Sequence, residues 1–410
     1  MQLSNNRYVI QGVDLLNLCA EMGTPLYVYD GNKIIEQINT LKKAFDGLPL
    51  KIKYATKALS NVSVLKLIKS QGCEVDAVSI QEAHLALLAG FKPHEILFTP
   101  NMVGFEEIQE AVTLGLRINI DNISILEQFG DKYGSSVPCC IRINPHIMAG
   151  GNHKISTGHI DSKFGISILQ MRHVERIVAS HSMHIDGLHM HTGSDILESE
   201  VFLRGAEILF DAARNFKDLR FLDFGSGFKV AYKEGDITTD LYDLGKKLGQ
   251  AFRNFCKEYG RELEIWFEPG KYLVSESGYL LVSTNVIKTT PATVFLGVNS
   301  GMNHLIRPMM YEAYHHMTNI SNPQGVQRMY SVVGYICETD TLGWDRKLSE
   351  AKEGDIIATH NTGAYGFSMA SNYNSRFRPA EVLIVEGKAH LIRKREEFAD
   401  LTANQIILDL

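Results

Sequence analysis

The sequence contains little that suggests a nucleic-acid-binding, membrane or secreted protein. Its 410 residues carry 41 basic and 47 acidic side chains, for a formal net charge of −6, without any basic tract. We therefore expect neither nucleic acid nor an anionic membrane as a partner. No apolar run reaches membrane-spanning length, and the start, MQLSNNRYVI, lacks the charged and apolar regions of a secretion signal. These features predict a cytoplasmic protein.

Cysteine is also scarce and follows no pattern. The six cysteines include no CxxC pair and no spacing typical of a zinc site. We interpret them as free, mostly buried thiols of a reducing compartment, and we expect no bound metal. They are Cys19, Cys73, Cys139, Cys140, Cys256 and Cys337.

What the sequence does contain is a regular alternation of strand-like and helix-like segments. Eight short, apolar, β-branched runs are separated by helical stretches such as 80–89 and 105–114. Eight parallel strands can close a TIM (β/α)8 barrel, which we predict for residues 31–274, with an open doubly wound α/β sheet as the alternative. The predicted strands are 52–55, 75–79, 96–99, 117–121, 139–144, 186–191, 221–224 and 265–268.

After Gly270 this alternation stops. The apolar runs that follow are separated by turns and loops rather than by long helices. This pattern predicts a second, mostly antiparallel β-domain formed by residues 275–410 together with residues 1–30. The runs are 279–289, 292–298, 329–336, 355–358 and 381–385.

Polar residues collect at the predicted strand ends, where TIM barrels carry their chemistry. The first strand, KIKYATKA, ends at Lys57, which partial desolvation would make nucleophilic, although a surface lysine opening the next helix has the same pattern. The sixth strand, GLHMHTGS, puts His189 and His191 on one face. This pair suits a metal site, a ring stacked on a planar ligand, or a hydrogen-bonded structural pair.

The last two strands end in DFGSGF and WFEPGK. Gly225 and Gly227 flank Ser226, and such a turn exposes backbone N–H groups that can bind a phosphate, although any tight turn could use two glycines. Glu268 would be a carboxylate at the barrel mouth, paired with a ligand or with a barrel lysine. A lysine, a stacking group, a phosphate-binding turn and a carboxylate at one mouth together fit pyridoxal 5′-phosphate (PLP).

These motifs occur in the order found in a known family. The chain resembles the fold type III, alanine-racemase-like PLP-dependent decarboxylases, and among them the diaminopimelate decarboxylases. The resemblance implies that Lys57 of YATKA forms the covalent link to PLP, that His191 of HTGS stacks on its ring and that Ser194 helps to bind its phosphate. It further implies that the DFGSG turn binds phosphate and that Glu268 pairs with the pyridine nitrogen.

The same resemblance extends through the β-domain. GMNHLIRPMMY implies that Arg307 and Tyr311 hold a substrate carboxylate, and CETD implies that Cys337 and Glu338 enter the active site of a partner subunit. GAYGFSMASNYNSRFRPAEVL implies that Tyr365 approaches PLP and the substrate. ISTGHIDSKFG, after the fifth strand, resembles the stretch that recognises the far end of the substrate in the diaminopimelate-specific branch.

Three features depart from the family pattern. EPGK has Lys271 where the family has arginine, so a point charge without bidentate geometry would bind either a phosphate or a carboxylate of the substrate. Ser226 replaces a glycine, and Asn299 and His304 replace acidic residues in the segment before Arg307. These departures bear on fine specificity rather than on the use of PLP.

The resemblance implies decarboxylation of meso-2,6-diaminopimelate to L-lysine and CO2, the last step of lysine biosynthesis, by a homodimer with shared active sites. Lys57, His191 and Cys337 would be the catalytic residues, and either Cys337 or Lys57 would protonate the α-carbon. Glu338 would bind the distal ammonium of the substrate. A decarboxylase of ornithine, arginine or carboxynorspermidine is the alternative in the same fold. A metallohydrolase using His189 and His191, or a catalytically inactive binding protein, fits the motifs less well.

Overall fold

A computed structural model describes residues 1–147, 158 and 160–410 of the protein. The chain divides into two compact units. The barrel unit comprises Ile35–Ala231 and Ile237–Leu273, and the sheet unit comprises Met1–Ile34, Tyr232–Asp236 and Val274–Leu410. None of the helices in the described part of the chain combines the length and the apolar character that a membrane crossing requires.

The chain opens with a small antiparallel sheet of three strands and a capped helix. The Asp14 side chain accepts hydrogen bonds from the N–H groups of Leu16 and Asn17, which satisfies two backbone donors at the first turn of the helix. The first elements are β1 (Gln2–Ser4), β2 (Arg7–Ile10), β3 (Val13–Asp14), α1 (Leu15–Met22), β4 (Leu26–Asp30) and α2 (Gly31–Ala44).

Strands and helices then alternate through the barrel unit. The strands and helices are β5 (Leu50–Ala55), α3 (Val62–Ser70), β6 (Glu74–Ala77), α4 (Ile80–Leu88), β7 (Ile96–Phe98), α5 (Phe105–Thr113), β8 (Arg117–Ile120), α6 (Ile123–Tyr133), β9 (Cys139–Asn144), β10 (Ile166–Ser167), α7 (Met171–Ser180), β11 (Ile185–Met190), α8 (Ser199–Ala213), β12 (Phe221–Asp223), α9 (Leu241–Tyr259), β13 (Glu264–Phe267) and α10 (Lys271–Val274).

Eight of these strands form a closed parallel ring. The order is β5, β6, β7, β8, β9, β11, β12 and β13, and β13 pairs with β5 to complete the circle. The short strand β10 adds to the side of β9. The predicted TIM barrel is therefore confirmed, and the open doubly wound sheet is wrong. The predicted strand bounds differ from the observed ones by at most two residues.

The strands of the barrel are largely buried on both faces, and several of its helices begin at capping residues. All six residues of β9 are buried, as expected for a parallel strand covered by helices. Ser79 and Asn122 cap α4 and α6 with their side-chain oxygens. Inside the ring, Phe221 stacks on Trp266 at a centroid distance of 3.5 Å. The residue opposite is Gly187, because a Cβ there would lie 2.0 Å from Cζ of Phe221.

The sheet unit is mostly antiparallel, as predicted. Its main sheet has the order β18, β17, β15, β14, β4, β20 and β21, and β19 and β16 extend from β14. The N-terminal strand β4 thus pairs with β14 and β20. Its elements are β14 (Gly278–Thr289), β15 (Val294–Val298), α11 (Arg307–Tyr311), β16 (Met317–Asn319), β17 (Gln327–Val333), β18 (Thr341–Ser349), β19 (Ile356–His360), β20 (Ala380–Val385), β21 (Lys388–Arg393) and α12 (Phe398–Thr402).

Candidate active site

Lys57 lies in the helical turn Thr56–Ala58 that directly follows the first barrel strand. Its side chain is 44% exposed, so the amine is accessible, and Nζ lies 3.8 Å from Oδ2 of Asp76. The preceding Thr56 is buried, and its hydroxyl lies 2.6 Å from Oε2 of Glu82 and 3.0 Å from the carbonyl oxygen of Asp76. The turn that carries Lys57 is therefore fixed by a backbone carbonyl of the second strand and by a side chain of the helix that follows it.

Asp76 is a buried carboxyl group that the sequence interpretation did not single out. Burial, and to a lesser extent the nearby Glu268, raise the pKa of Asp76 above its ordinary value, although Lys57 opposes them. Asp223, at the end of β12, is also buried, and its Oδ1 accepts a hydrogen bond of 2.8 Å from the N–H of Gly225. Burial and Glu268 raise the pKa of Asp223 as well. These two carboxyl groups are therefore suited to hold protons beside an ionised Glu268.

Glu268 lies just after the last barrel strand and faces His189 in the barrel interior. Its Oε2 is 3.1 Å from Nε2 of His189, and both side chains are buried. Burial alone would raise the pKa of Glu268, but His189 outweighs it, together with the cations Lys57 and Arg142, and the pKa is lowered. Among the described residues, Oε1 of Glu268 has no hydrogen-bond partner. An ionised, buried carboxylate oxygen is thus left for a donor from a ligand.

His191 follows β11 and contacts the glycine-rich turn. The N–H of Ser226 lies 3.2 Å from Nδ1 of His191, which must therefore act as the acceptor. Burial, followed by the nearby Arg142 and Lys57, lowers the pKa of His191 to about 3, so the ring is neutral at physiological pH. The sequence alone left open whether His189 and His191 form a metal site. In the structure His189 contacts the carboxylate of Glu268, and His191 contacts the backbone N–H of Ser226.

The turn itself requires glycine at two positions. Gly225 has φ +61°, and a Cβ there would lie 2.7 Å from Nδ1 of His191. Gly227 has φ +128°, and a Cβ would lie 2.6 Å from the carbonyl oxygen of Gly193. The HTGS and DFGSG segments run side by side, because the N–H of Ile196 bonds to the carbonyl oxygen of Gly227. The backbone is thereby open to close approach by a ligand.

Lys271 is close to the same pair of loops. Its Nζ lies 2.5 Å from Oδ1 of Asp195, the residue after Ser194, and its side chain is only 10% exposed. The structure thus brings together Lys57, His191, Glu268, the glycine turn and Lys271 in one unit. It also adds residues that the sequence interpretation missed. These are Asp76, Arg142 and Asp223, whose only signal was a charged side chain within a predicted barrel strand.

The predicted substrate residues lie in the sheet unit. Arg307 opens the short helix α11 and is buried, and its Nη1 donates to the hydroxyl of Tyr232 at 2.9 Å. Tyr311 ends the same helix and is half-buried. In the described part of the chain Arg307 forms no ion pair. A buried guanidinium without a carboxylate is suited to bind an anion.

Cys337 and Glu338 lie together on the exposed loop between β17 and β18. The N–H of Cys337 donates to Oδ1 of Asn374, and the hydroxyl of Tyr373 donates to Oε1 of Glu338, both at 2.9 Å. Asp340 holds the base of the loop by accepting hydrogen bonds from two backbone N–H groups. The loop is therefore well defined although its tip is exposed.

Tyr365 lies in the turn of GAYG and adopts φ +57°, in the left-handed region. Backbone strain of this kind is often found at functional positions. The neighbouring Gly363 is required by close packing, because a Cβ there would lie 1.8 Å from the carbonyl oxygen of Val274. Of the predicted recognition stretch ISTGHIDSKFG, residues 155–157 and 159 lie outside the described residues.

The barrel residues fit PLP. The unpartnered Oε1 of Glu268 suits a protonated pyridine nitrogen, and the two glycines leave space that a side chain would fill. Lys57 has an accessible amine for the covalent link, and the neutral ring of His191 suits stacking. In PLP-loaded protein, these residues and Ser194 would hold the cofactor.

Comparisons with known proteins agree with this chemistry. The family model described as "Pyridoxal-dependent decarboxylase, pyridoxal binding domain" matches residues 31–275. Diaminopimelate decarboxylase of Methanothermobacter thermautotrophicus is 38% identical over 408 residues, covering 97% of this chain and 95% of the relative.

Two solved structures are also similar. Diaminopimelate decarboxylase of M. jannaschii has a TM-score of 0.91 and 31% identity, covering 100% of this chain and 98% of the other. The diaminopimelate decarboxylase of Helicobacter pylori, in complex with L-lysine, has a TM-score of 0.88 and 34% identity, covering 95% and 98% of the two chains. The barrel fold, the residues that fit PLP and the similarity to these relatives all indicate the same family. The chain belongs to the diaminopimelate decarboxylase family of pyridoxal-dependent decarboxylases.

Proposed function

We propose that the protein decarboxylates meso-2,6-diaminopimelate to L-lysine and CO2, the last step of lysine biosynthesis. In this reaction the bond between an α-carbon and its carboxylate breaks, CO2 leaves, and a proton takes its place. The observation that carries the proposal is the buried, ionised Glu268, whose Oε1 has no partner among the described residues, in the same unit as Lys57. The choice of substrate is supported by the names of the relatives and by the lysine bound to one of them.

Bound PLP supplies an electron sink that stabilises the negative charge left on the α-carbon when CO2 leaves. Lys57 provides the amine that holds the cofactor. Glu268 favours the protonated ring nitrogen, because a carboxylate beside a cation stabilises the charged form. His191 would cover the ring as a neutral imidazole, and the turn around Gly225 and Gly227 would contact the phosphate. Since the N–H of Ser226 donates to His191, a phosphate contact from Ser226 would use its hydroxyl.

Residues of the sheet unit would select the substrate. Arg307 would hold a carboxylate through its planar fork, with Tyr311 beside it. The absence of an ion pair to Arg307 in the described residues supports this role. Glu338, at the exposed loop tip, would bind the distal ammonium, and Tyr365 would contact both substrate and cofactor. Lys271 would contribute a positive charge near the phosphate loops, shared with Asp195.

Protonation of the α-carbon requires a donor, for which Cys337 and Lys57 are the candidates. Exposure of Cys337 supports a role in trans, in which the loop of one subunit completes the site of its partner. The protein would then be a homodimer with shared active sites. We further propose that it works in the cytoplasm, where its six cysteines remain free thiols.

The test is to purify the protein, record its visible absorbance, and trap the cofactor with borohydride. We expect a cofactor band, and a modified peptide that contains Lys57. CO2 release is then measured with meso-diaminopimelate, ornithine, arginine and carboxynorspermidine. Preference for diaminopimelate supports the proposal. Preference for another amino acid would assign the protein to the alternative decarboxylases, and an absent cofactor would contradict both.

A further inference from the structure

Two side chains of the sheet unit contact the guanidinium of Arg307. Nη1 of Arg307 lies 2.9 Å from the hydroxyl oxygen of Tyr232 and 3.2 Å from Nε2 of His315. Arg307 is 8% exposed and His315 is fully buried. Tyr232 belongs to the short segment 232–236, which is distant in sequence from α11 but belongs to the same unit. Nη1 of Arg307 is thus held by two side chains, Tyr232 and His315, neither of which carries a negative charge.

The hydrogen bonds of His315 determine its tautomer. Nδ1 lies 2.8 Å from the carbonyl oxygen of His360, which can only accept, so Nδ1 carries the hydrogen. Nε2 therefore presents a lone pair to Arg307, which can only donate. Burial, followed by the charge of Arg307, lowers the pKa of His315 to about 3, in agreement with a neutral ring. His315 is consequently an acceptor of fixed direction.

Tyr232 constrains the guanidinium in two ways. Its hydroxyl accepts from Nη1 and lies 2.9 Å from Oγ of Ser275, which fixes the orientation of the hydroxyl. The Cζ atom of Arg307 also lies 5.0 Å from the centroid of the Tyr232 ring, a cation–π distance. The ring in turn meets His315 edge-on, with centroids 5.4 Å apart. The three side chains therefore form one packed group.

The hydrogen bonds to Tyr232 and His315 occupy Nη1 of the guanidinium and leave its Nε–Nη2 edge available for a ligand. Nη1 has two hydrogens, and Tyr232 and His315 supply one acceptor for each. In the described residues, Nε and Nη2 of Arg307 donate no hydrogen bond to the protein. These two nitrogens form the edge that binds a carboxylate with two parallel hydrogen bonds. A guanidinium fixed through Nη1 presents that edge in a single orientation.

We infer that His315 and Tyr232 are positioning residues, which fix the Nε–Nη2 edge of Arg307 for the substrate carboxylate. The inference rests on the proposed function, because it takes Arg307 as the ligand of that carboxylate. Neither residue contacts the reacting atoms in this role. Their loss should weaken substrate binding while leaving cofactor binding intact.

The test compares His315→Phe, His315→Gln and Tyr232→Phe in the PLP-loaded enzyme. For His315→Phe and Tyr232→Phe we expect the KM for meso-diaminopimelate to rise about tenfold or more, with a smaller change in kcat, because an arginine hydrogen bond is lost. His315→Gln retains an acceptor and should restore KM to within about threefold of the original value. Cofactor absorbance and borohydride trapping at Lys57 should not change. His316→Phe is the matched control, since His316 is exposed and adjacent in sequence but does not contact Arg307.

A double-variant experiment separates positioning from a general structural effect. If His315 acts through Arg307, adding His315→Phe to Arg307→Ala should not raise KM further, whereas independent structural damage would add to it. An unchanged KM in both His315→Phe and Tyr232→Phe, with a raised KM in Arg307→Ala, would overturn the inference and leave the proposed function intact. An unchanged KM in Arg307→Ala would remove the proposed substrate contact and the inference with it. If His315→Phe does not fold, Tyr232→Phe, His315→Gln and their combinations with Arg307→Ala still decide the outcome.

Discussion

Oε2 of Glu268 lies 3.1 Å from Nε2 of His189, and both side chains are buried in the barrel. Burial lowers the pKa of His189, so the ring is neutral and donates its Nε2 hydrogen to the carboxylate. The hydrogen bond from His189 and the nearby cations Lys57 and Arg142 together keep Glu268 ionised, and its second oxygen remains for a ligand. The two carboxylate oxygens therefore have different roles: Oε2 accepts from His189, and Oε1 is available to a ligand.

Replacing Glu268 by glutamine should reduce catalysis more than cofactor retention. A neutral amide cannot stabilise a protonated ring nitrogen, so we expect kcat to fall by about a hundredfold or more. Steady-state kinetics and borohydride trapping measure the two effects separately. Glu264→Gln is the matched control, because Glu264 accepts from Nε1 of Trp266 at the other end of the same strand, and glutamine can also accept. A kcat in Glu268→Gln equal to that of the control would contradict the role of the carboxylate.

The glycine turn predicts a difference between two alanine substitutions. Gly225 and Gly235 both have positive φ, +61° and +77°, so alanine at either site adds about 1–2 kcal/mol of backbone strain. Only at Gly225 would the new Cβ also collide with His191, while at Gly235 nothing lies within 4 Å. We expect Gly225→Ala to weaken PLP binding about tenfold or more, because a displacement of this kind costs more than 1.4 kcal/mol. Fluorescence titration of cofactor into apoenzyme measures it, and equal affinities in the two variants would refute the prediction.

Shared active sites predict complementation between inactive variants. Lys57→Ala and Cys337→Ala homodimers should each have little activity. After subunit exchange at equal concentrations, about half of the dimers are hybrids, each with one intact site of two, so activity should recover to about a quarter of the original. Exchange is confirmed with differently tagged chains, and each variant mixed with itself is the control. Absence of recovery despite confirmed exchange would argue that each site is formed within one chain.

The buried His304 predicts a pH-dependent stability. Its Nε2 donates to the carbonyl oxygen of Phe377 and its Nδ1 accepts from the hydroxyl of Ser300, both at 3.0 Å. Burial lowers the pKa of His304 to about 4. The unfolded chain binds a proton as the pH falls through about 6.5, whereas the folded protein binds one only near pH 4. The free energy of unfolding should therefore fall as the pH falls through this window.

We expect this histidine to account for a loss of about 2 kcal/mol between about pH 7 and pH 5. Urea unfolding of the original protein and of His304→Gln at both pH values measures the contribution. Glutamine can still donate to Phe377 but does not titrate, so the variant should lose less stability on acidification. Identical losses in the two proteins would show that His304 does not supply the pH dependence.

Several of the strands were predictable because they are buried on both faces. The run at 139–144 has the bounds of β9, and all six of its residues are buried. For other strands the predicted and observed ends differ by one or two residues. For example, β5 begins at Leu50, whereas the predicted strand begins at residue 52. Ladder hydrogen bonds from the neighbouring strands decide where a strand ends, and these partners are remote in sequence. The two helical stretches predicted at 80–89 and 105–114 begin at the observed first residues of α4 and α5.

Sequence patterns were sufficient to predict the barrel, the second domain and most of the polar residues at the strand ends, including Lys57, His191 and Glu268. Periodicity and composition indicate which segments are buried, and the order of the motifs indicates which chemistry they resemble. The contacts of these residues are visible only in the folded chain. The tertiary structure placed Asp76 and Asp223 near Glu268. It also placed Tyr232 and His315 on Arg307.

These contacts could not be predicted because hydrogen bonds and charge interactions depend on distances of a few ångströms between residues that are far apart along the chain. Tyr232 is 75 residues from Arg307, and the donor or acceptor role of His315 is decided by a carbonyl oxygen 45 residues away. No local pattern encodes such a partner. The sequence specified the chemical groups, and packing of the folded chain decided their protonation and orientation.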